Sequence, residues 1–376
     1  MTTKNPSSIR LAIICGGQSG EHEISLLSAY NVQKAIDKAQ YACFTIGIAK
    51  NGTWAYYPES DDLDFLINPG DTRKAALNTA QAIPATIIST DKGPSLIRLS
   101  DGLEITQLDV AFPVLHGPFG EDGTIQGMFK LMGLPCVGCG TLSSSMTMDK
   151  EITKRLLQGA GIPTAKFMAF RSSGLASASM SPNVETVKAT LGLPFFVKPA
   201  NAGSSLGISK VSSEKDFTAA LQEAFRHDSK ILIEEAIVGR EIECAVLGNE
   251  APRASLPGEI IPEKASFYSY AAKYLSDDGA RLEAPAKLTA EQIKRVQAMA
   301  IAAYQALCCA GMARVDFFLT PENKLYVNEI NTIPGFTNIS MYPKLWDLSG
   351  IPYSVLIHEL IQLALNHAEM TNLTPE

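Results

Sequence analysis

The sequence predicts an α/β protein assembled from mixed α/β and α+β modules, and three stretches carry that prediction. Residues 9–15 (IRLAIIC) form a buried-strand run that passes through Gly-Gly-Gln-Ser-Gly into a helical period from about residue 23 to 37, on Ile24, Leu27, Val32 and Ile36. Residues 109–115 (DVAFPVL) form a second strand, which delivers His116-Gly-Pro-Phe-Gly-Glu-Asp-Gly at its carboxyl end, where open α/β sheets bind ligands. Residues 311–338 hold two apolar runs, 313–319 and 324–330, flanking Thr320, Pro321, Glu322 and Asn323, residue types that reverse a chain.

Paired across that tetrad as an antiparallel hairpin, Leu319 faces Lys324, Asp316 faces Val327 and Arg314 faces Glu329. Opposed residues share a face and side chains alternate along each strand. Arg314, Asp316, Glu329 and Asn331 are therefore expected on one side, among Phe318, Leu325 and Val327. Charge on a half-apolar face is costly unless something compensates it. Asp316, Glu329 and Asn331 offer only hard oxygen donors, which suits Mg²⁺ held between protein carboxylates and nucleotide phosphates. Arg314 beside them is placed to steady an oxyanion. An internal salt bridge from Arg314 to Asp316 or Glu329 in an ordinary hairpin accounts for the same residues.

At 376 residues the chain has room for two or three domains with sizeable cores. A hydrophobic fraction of 46% and a charged fraction of 19% are those of a soluble globular protein, and a net charge of −7 argues against a nucleic-acid partner. No apolar run reaches membrane-spanning length and the first residues lack a signal-peptide core, so a cytoplasmic protein without a membrane partner is expected. The seven cysteines are scattered. Cys136 and Cys139 have C-x-x-C spacing but no second pair, which does not make a zinc site.

Taken in order, the strand, glycine turn and helix at the N-terminus suggest ligand binding at a helix N-terminus. Gly16, Gly17 and Gly20 do not fit the dinucleotide fingerprint, which argues against an NAD-binding oxidoreductase. Glu21 reads either as a contact for a substrate amine or as an acid favouring the helix dipole. His116, among glycines that allow close approach, is placed to meet a substrate carboxylate, although a structural histidine fits as well. The pattern changes around residues 138–141, a domain boundary. Residues 148–158 then read as one helix carrying Lys150, stopped by Gly159, Gly161 and Pro163. Lys198-Pro-Ala-Asn-Ala-Gly-Ser-Ser-Leu-Gly joins two short strands and has the glycines and hydroxyls of a phosphate lid with Lys198 at its base. A plain Gly-Ser hairpin loop is the alternative. Glu234 and Glu235 end an apolar strand, where they can accept from adenine or ribose or simply meet solvent. Residues 262–285 are too irregular for core and too long for an ordinary loop, which predicts a lid. The helix that follows opens on a capping box, Thr289 to Gln292.

In this order the sequence resembles an ATP-grasp ligase, and specifically the D-alanine–D-alanine ligase family. The motifs are GGQSGEHEISL, HGPFGEDG, MDK, VKPANAGSSLG, ILIEEAIVGREIE, FYSYAAKYL, GMARVDFFL and VNEINTIPGFTNIS, covering nearly the whole chain. Each is weak alone, and all eight in sequence are specific. The resemblance implies a three-domain ATP-grasp fold: residues 1–139 an N-terminal Rossmann-like substrate domain, 140–240 a central subdomain with the phosphate loop, and 241–376 a C-terminal subdomain with the lid and metal site. It implies that Lys150, Lys198 and Lys273 bind ATP phosphates under the loop containing Ser205. Glu234, Glu235 and the backbone near Ile237 would hold adenine, and Glu241 the ribose. Asp316, Glu329 and Asn331 would hold two Mg²⁺, with Mn²⁺ a possible substitute. Glu21 and His116 would attend the first D-alanine, and Ser340 and Met341 the carboxylate of the second. Arg314 and the Gly335 N–H would form the oxyanion site, while Tyr274, Ser204 and Glu21 would link lid to substrate. The implied reaction is ligation of two D-alanines through D-alanyl phosphate for peptidoglycan precursors, by an expected homodimer. A ligase with D-lactate or D-serine as acceptor, and a non-catalytic ATP-binding regulator of this fold, are the rival readings. The segment at about 171–184 resembles a small insertion.

Overall fold

The computed structural model describes residues 8–58, 65–71, 74–172, 182–204, 206–262, 280–337 and 339–371. Three main sheets follow one another along the chain, and each grows from the apolar runs identified above.

The first sheet contains β1 (Ile9–Gly16), β2 (Tyr41–Ile48), β3 (Trp54–Tyr57), β4 (Ile83–Thr90), β5 (Gly93–Arg98), β6 (Glu104–Gln107) and β7 (Val110–Pro113), in the spatial order β6-β5-β4-β3-β2-β1-β7. β1 lies between β2 and β7, parallel to both. Leu11, Ala12, Ile13 and Ile14 are wholly buried, which is why β1 reads as an unbroken apolar run. Helix α1 (His22–Ala35) buries Ile24, Leu27 and Val32. One face of this sheet carries helix α2 (Thr124–Leu131) through Ile125 and Phe129.

The helix expected over 148–158 is α4 (Lys150–Gly159), and a further helix, α3 (Thr141–Met148), precedes it. The break is at Asp149, whose backbone is extended and whose carboxylate accepts from the Glu151 and Ile152 N–H groups. A side chain that caps the next helix competes with continuing the previous one. Lys150 thereby becomes the first residue of α4.

The second sheet, β8 (Phe167–Arg171), β9 (Phe195–Pro199), β10 (Ser209–Val211) and β11 (Lys230–Glu235), has the order β8-β11-β9-β10 and is antiparallel throughout. Helices α5 (Val184–Leu191) and α6 (Phe217–Phe225) cover the face that carries Phe195, Val197, Ile231 and Ile233. The alternate residues, Phe196, Lys198 and Glu234, therefore face the other way.

The third sheet contains β12 (Arg240–Leu247), β13 (Gly258–Pro262), β14 (Ala280–Glu283), β15 (Met312–Leu319) and β16 (Leu325–Asn331), in the order β14-β13-β12-β15-β16, with the two-residue strand Arg253–Ala254 also paired to β12. β14 falls within the stretch expected to be irregular; it pairs with β13, so the ends of that stretch belong to the sheet. Helix α7 (Ala290–Ala306) opens on the capping box of Thr289 with Gln292 and buries Val296, Ala300 and Tyr304 against the sheet. Helices α8 (Met341–Leu348) and α9 (Tyr353–Thr371) return to the first sheet. There Trp346, Leu356 and Leu360 share a core with Leu11, Ile13 and Val32, and the Tyr41 hydroxyl lies 2.7 Å from His358 Nδ1. No single helix among the described residues is long and apolar enough to cross a membrane.

The β15–β16 register corrects the expected one. Leu319 pairs with Leu325 instead of Lys324, because the Thr320 N–H is bonded to the Lys324 carbonyl and Lys324 stays in the turn. Phe317 then opposes Val327, and a bulge at Asn328 brings Asp316 opposite Glu329 and Arg314 opposite Asn331. A one-residue shift turns side chains to the other face, so Leu325 and Val327 join Phe317 and Leu319 in the core instead of lying beside the acids. The bulge shifts the strand once more and returns Glu329 and Asn331 to the face of Arg314 and Asp316. Burial of the apolar pair is the reason the chain takes this route.

Candidate active site

The polar faces of the second and third sheets and the loops of the first enclose one cavity of about 480 Å³. Its lining includes Glu21, His116, Lys150, Lys198, Ser204, Glu234, Glu235, Ile237, Glu241, Arg314, Asp316, Glu329, Asn331 and Gly335, so these expected residues from distant parts of the chain meet in one place. Ser205, Lys273 and Tyr274, with most of the expected lid and insertion, lie outside the described residues. Ser340 and Met341 do not line the cavity. Ser340 precedes α8, where its hydroxyl accepts from the Thr337 N–H at 3.0 Å.

The strand-to-helix turn after β1 presents Glu21 to the loop after β9: the Ser204 hydroxyl donates to Glu21 Oε1. Gly117 has a φ of +73°, and a Cβ there would come 3.1 Å from Glu21 Oε2. The positive φ favours glycine at that position, and a side chain there would press on the Glu21 carboxylate.

His116 is buried, and burial pushes its pKa down, so the ring is neutral. Its Nδ1–H donates to the Ile333 carbonyl at 3.0 Å; Nε2 then accepts from the Ser28 hydroxyl at 3.3 Å, and Ser28 in turn accepts from the Phe336 N–H. Both ring nitrogens serve to fix the 333–336 loop. His116 also lines the cavity that holds Glu21 and Arg314.

Glu121, which sequence reasoning did not single out, is one of the two carboxylates of the same motif, beside Asp122. It accepts from the Gly117 N–H at 2.7 Å and the Ile333 N–H at 3.3 Å. Burial, with Glu21 nearby, nevertheless pushes its pKa up to about 8. A raised folded-state value means stability that is full below the unfolded value near 4.5 and is lost as pH rises towards 8. Glu121→Gln is therefore expected to flatten this part of the pH profile. The measurement is melting temperature from pH 5 to 8.5 without ligands; an unchanged slope would exclude Glu121 as its source.

Three lysines approach from the second sheet and α4. Glu234 accepts from Lys198 at 2.7 Å and pairs with Lys154 at 2.6 Å. Burial alone would raise the pKa of Glu234, but the two lysines outweigh it and keep the carboxylate ionised. Lys154 lies one helical turn after Lys150, a spacing that places both on one face of α4 and could have revealed it. The Lys150 ammonium donates to the Ala202 carbonyl at 2.6 Å, and burial lowers its pKa.

Across the cavity, Arg314 grips Asp316 with two bonds of 2.7 Å and lies 3.1 Å from Glu243 Oε2. Burial opposes the guanidinium charge, and Asp316 and Glu243 more than restore it. The internal salt bridge is thus present, on the same face as the oxygen donors. Glu243 was also missed, although the alternation that puts Glu241 in the site puts Glu243 there too. Asn331 Nδ2 donates to Asp316 at 2.9 Å. Among the described residues no three His, Cys, Asp or Glu side chains converge as a preformed metal cage. Two carboxylates and an amide fit instead a hard cation that completes its shell with phosphate and water oxygens.

Comparison with known proteins agrees with this geometry. Residues 10–139 match the family model described as D-ala D-ala ligase N-terminus, and residues 156–362 the one described as D-ala D-ala ligase C-terminus. The D-alanine–D-alanine ligase A of Chromobacterium violaceum is 49% identical over 96% of both chains. That of Escherichia coli K12 is 46% identical over 97% of this chain and 98% of its own. Among solved structures, the D-alanine–D-alanine ligase of Coxiella burnetii has a TM-score of 0.82 at 38% identity, covering 97% of this chain and 96% of its own. The VanG D-Ala:D-Ser ligase of Enterococcus faecalis also has a TM-score of 0.82, at 36% identity over 95% of this chain and 99% of its own. These matches span both halves of the chain: the chain belongs to the D-alanine–D-alanine ligase family, whose members are ATP-dependent ligases with the ATP-grasp fold.

Proposed function

We infer that this cavity joins two D-alanines into D-alanyl-D-alanine at the expense of ATP, for peptidoglycan precursors. The observation that carries the reading is that Lys150 and Lys198 line the same cavity as Arg314, Asp316, Glu329 and Asn331. A carboxylate is a poor electrophile, so the first D-alanine is activated as an acyl phosphate. Lys150 and Lys198 stabilise the charge spread over the transferred phosphoryl oxygens. Asp316, Glu329 and Asn331 would hold a divalent cation, which would supply neutralisation of phosphate charge. Glu21, steadied by Ser204, receives the ammonium of the first D-alanine. The neutral amine of the second attacks the acyl carbon, Arg314 with the Gly335 N–H holds the tetrahedral oxyanion, and its collapse breaks the C–O bond to release inorganic phosphate, which carries off the amine proton. Closure of the site excludes the water that would hydrolyse the acyl phosphate. Glu235, Ile237 and Glu241 flank the nucleotide end, and Ser205, Lys273 and Tyr274 complete the lid side by family resemblance. The assignment of Ser340 and Met341 to the second D-alanine and a homodimer rest on that resemblance alone. Mg²⁺ as the cation is also supported by the hard oxygen donors, and the absence of nucleic-acid and membrane partners and a cytoplasmic setting by charge and hydropathy.

The similarity to a D-Ala:D-Ser ligase keeps acceptor choice as the second reading. ADP release and product analysis with D-alanine, L-alanine, D-serine and D-lactate test both. D-alanine alone should sustain turnover and yield dipeptide, with negligible ester at neutral pH when D-lactate is supplied equally. Predominant D-alanyl-D-serine or ester would move the chain to another ligase; no ADP with any substrate would favour a non-catalytic regulator.

A further inference from the structure

Lys230 lies at the start of β11, buried, on the same strand face as Glu234 but outside the cavity lining. Its ammonium is 2.5 Å from Asp149 Oδ2 and 3.0 Å from Glu151 Oε2. Those two carboxylates flank Lys150 in sequence. The backbone closes the same unit: the Lys150 N–H donates to the Ala200 carbonyl at 3.1 Å, and the Ala200 N–H to the Lys230 carbonyl at 2.9 Å. Asp228 joins in, accepting from the Lys230 and Asn201 N–H groups.

We propose that Lys230 is a positioning residue for nucleotide binding and acts through Lys150. Two effects follow from the geometry. Anchoring residues on both sides of Lys150 fixes the first turn of α4 against β9 and β11, with the Lys150 side chain directed to the 201–204 loop, where its ammonium meets the Ala202 carbonyl. Pairing Asp149 and Glu151 behind the helix also withdraws two acids that would otherwise compete with phosphate for the Lys150 ammonium. Lys230 itself touches no ligand. The proposal rests on the reading of Lys150 as a phosphate contact, and its test separates the two.

The experiment is a double-mutant cycle read as equilibrium affinity for ATP with Mg²⁺, without D-alanine. Lys230→Met should weaken affinity about tenfold, the scale of losing one charge-assisted contact. In a Lys150→Met background it should change affinity less than about twofold, because the residue it acts through is gone. The KM for D-alanine should not move, and Lys230→Arg should restore affinity. Glu151→Gln opens half of the clamp without stranding a buried charge and should weaken affinity about threefold by the same reasoning, which covers the case in which Lys230→Met does not fold. Equal weakening in both backgrounds would make Lys230 a general structural residue, and no weakening by Lys230→Met or Glu151→Gln would also overturn the proposal. If Lys150→Met alone leaves affinity unchanged, the phosphate role of Lys150 fails and the proposal falls with it.

Discussion

Glu329→Gln is expected to turn over at least ~10²-fold more slowly than the parent, the scale of losing one strong transition-state contact. Glu329 stands opposite Asp316 on the cavity face, one residue beyond the bulge that brings it there. An amide of nearly the same volume keeps the strand pairing and the packing of Val327 and Ile330, so folding should change little. The charge that would balance a divalent cation is what is lost. Two measurements separate this from a misplaced side chain: steady-state ADP release at rising Mg²⁺, and binding of Mn²⁺ to the resting protein by titration. Both rate and metal affinity should drop. Parent-like turnover in ordinary Mg²⁺ would remove this hairpin as the metal site.

That bulge also marks the limit of what the sequence disclosed. Strands buried on both faces, such as β1, announce themselves as apolar runs because every position must be apolar. The capping box at Thr289 was legible because its two residues, Thr289 and Gln292, lie three positions apart in the sequence. Hairpin register was not, since Asn328 looks like any other strand residue until Val327 and Ile330 compete for one core. Simple alternation from the turn still put Arg314, Asp316, Glu329 and Asn331 on one face, because the longer turn and the bulge shift the strand by one residue each and cancel for the polar positions. They do not cancel for Leu325 and Val327, which lie between the two shifts. The helix break at Asp149 stayed hidden for a related reason: capping depends on where the Asp side chain turns, which periodicity does not encode. Glu243 and Lys154 were within reach, by strand alternation from Glu241 and helical spacing from Lys150. The clamp of Lys230 on Asp149 and Glu151 was out of reach, since it joins residues some eighty positions apart, as the 2.5 Å contact from Lys230 to Asp149 does.

Arg314→Met should show the second large effect, and it should appear in stability as well as rate. In the parent the guanidinium is the counter-ion for Asp316 and Glu243, both within 3.1 Å. Removing it takes away the counter-ion of two carboxylates with Glu329 close by, and breaking a buried pair from one side costs about 3–5 kcal/mol. Divalent cation offers a replacement charge at the same acids. The variant should therefore melt well below the parent in chelator and recover part of the gap as Mg²⁺ is added, with a steeper dependence on Mg²⁺ than the parent, because binding to the folded state alone stabilises it. Turnover should not recover alongside. Loss of one oxyanion donor costs on the order of 10²–10³-fold in kcat, and added cation does not restore a planar donor. Arg314→Lys keeps the charge without the fork and should melt between the two while remaining slow. The decisive comparison is melting temperature and kcat for the three proteins across the same Mg²⁺ series. Stability in chelator equal to the parent would mean that Arg314 does not balance these acids, and turnover within about tenfold of the parent would remove it from the oxyanion site.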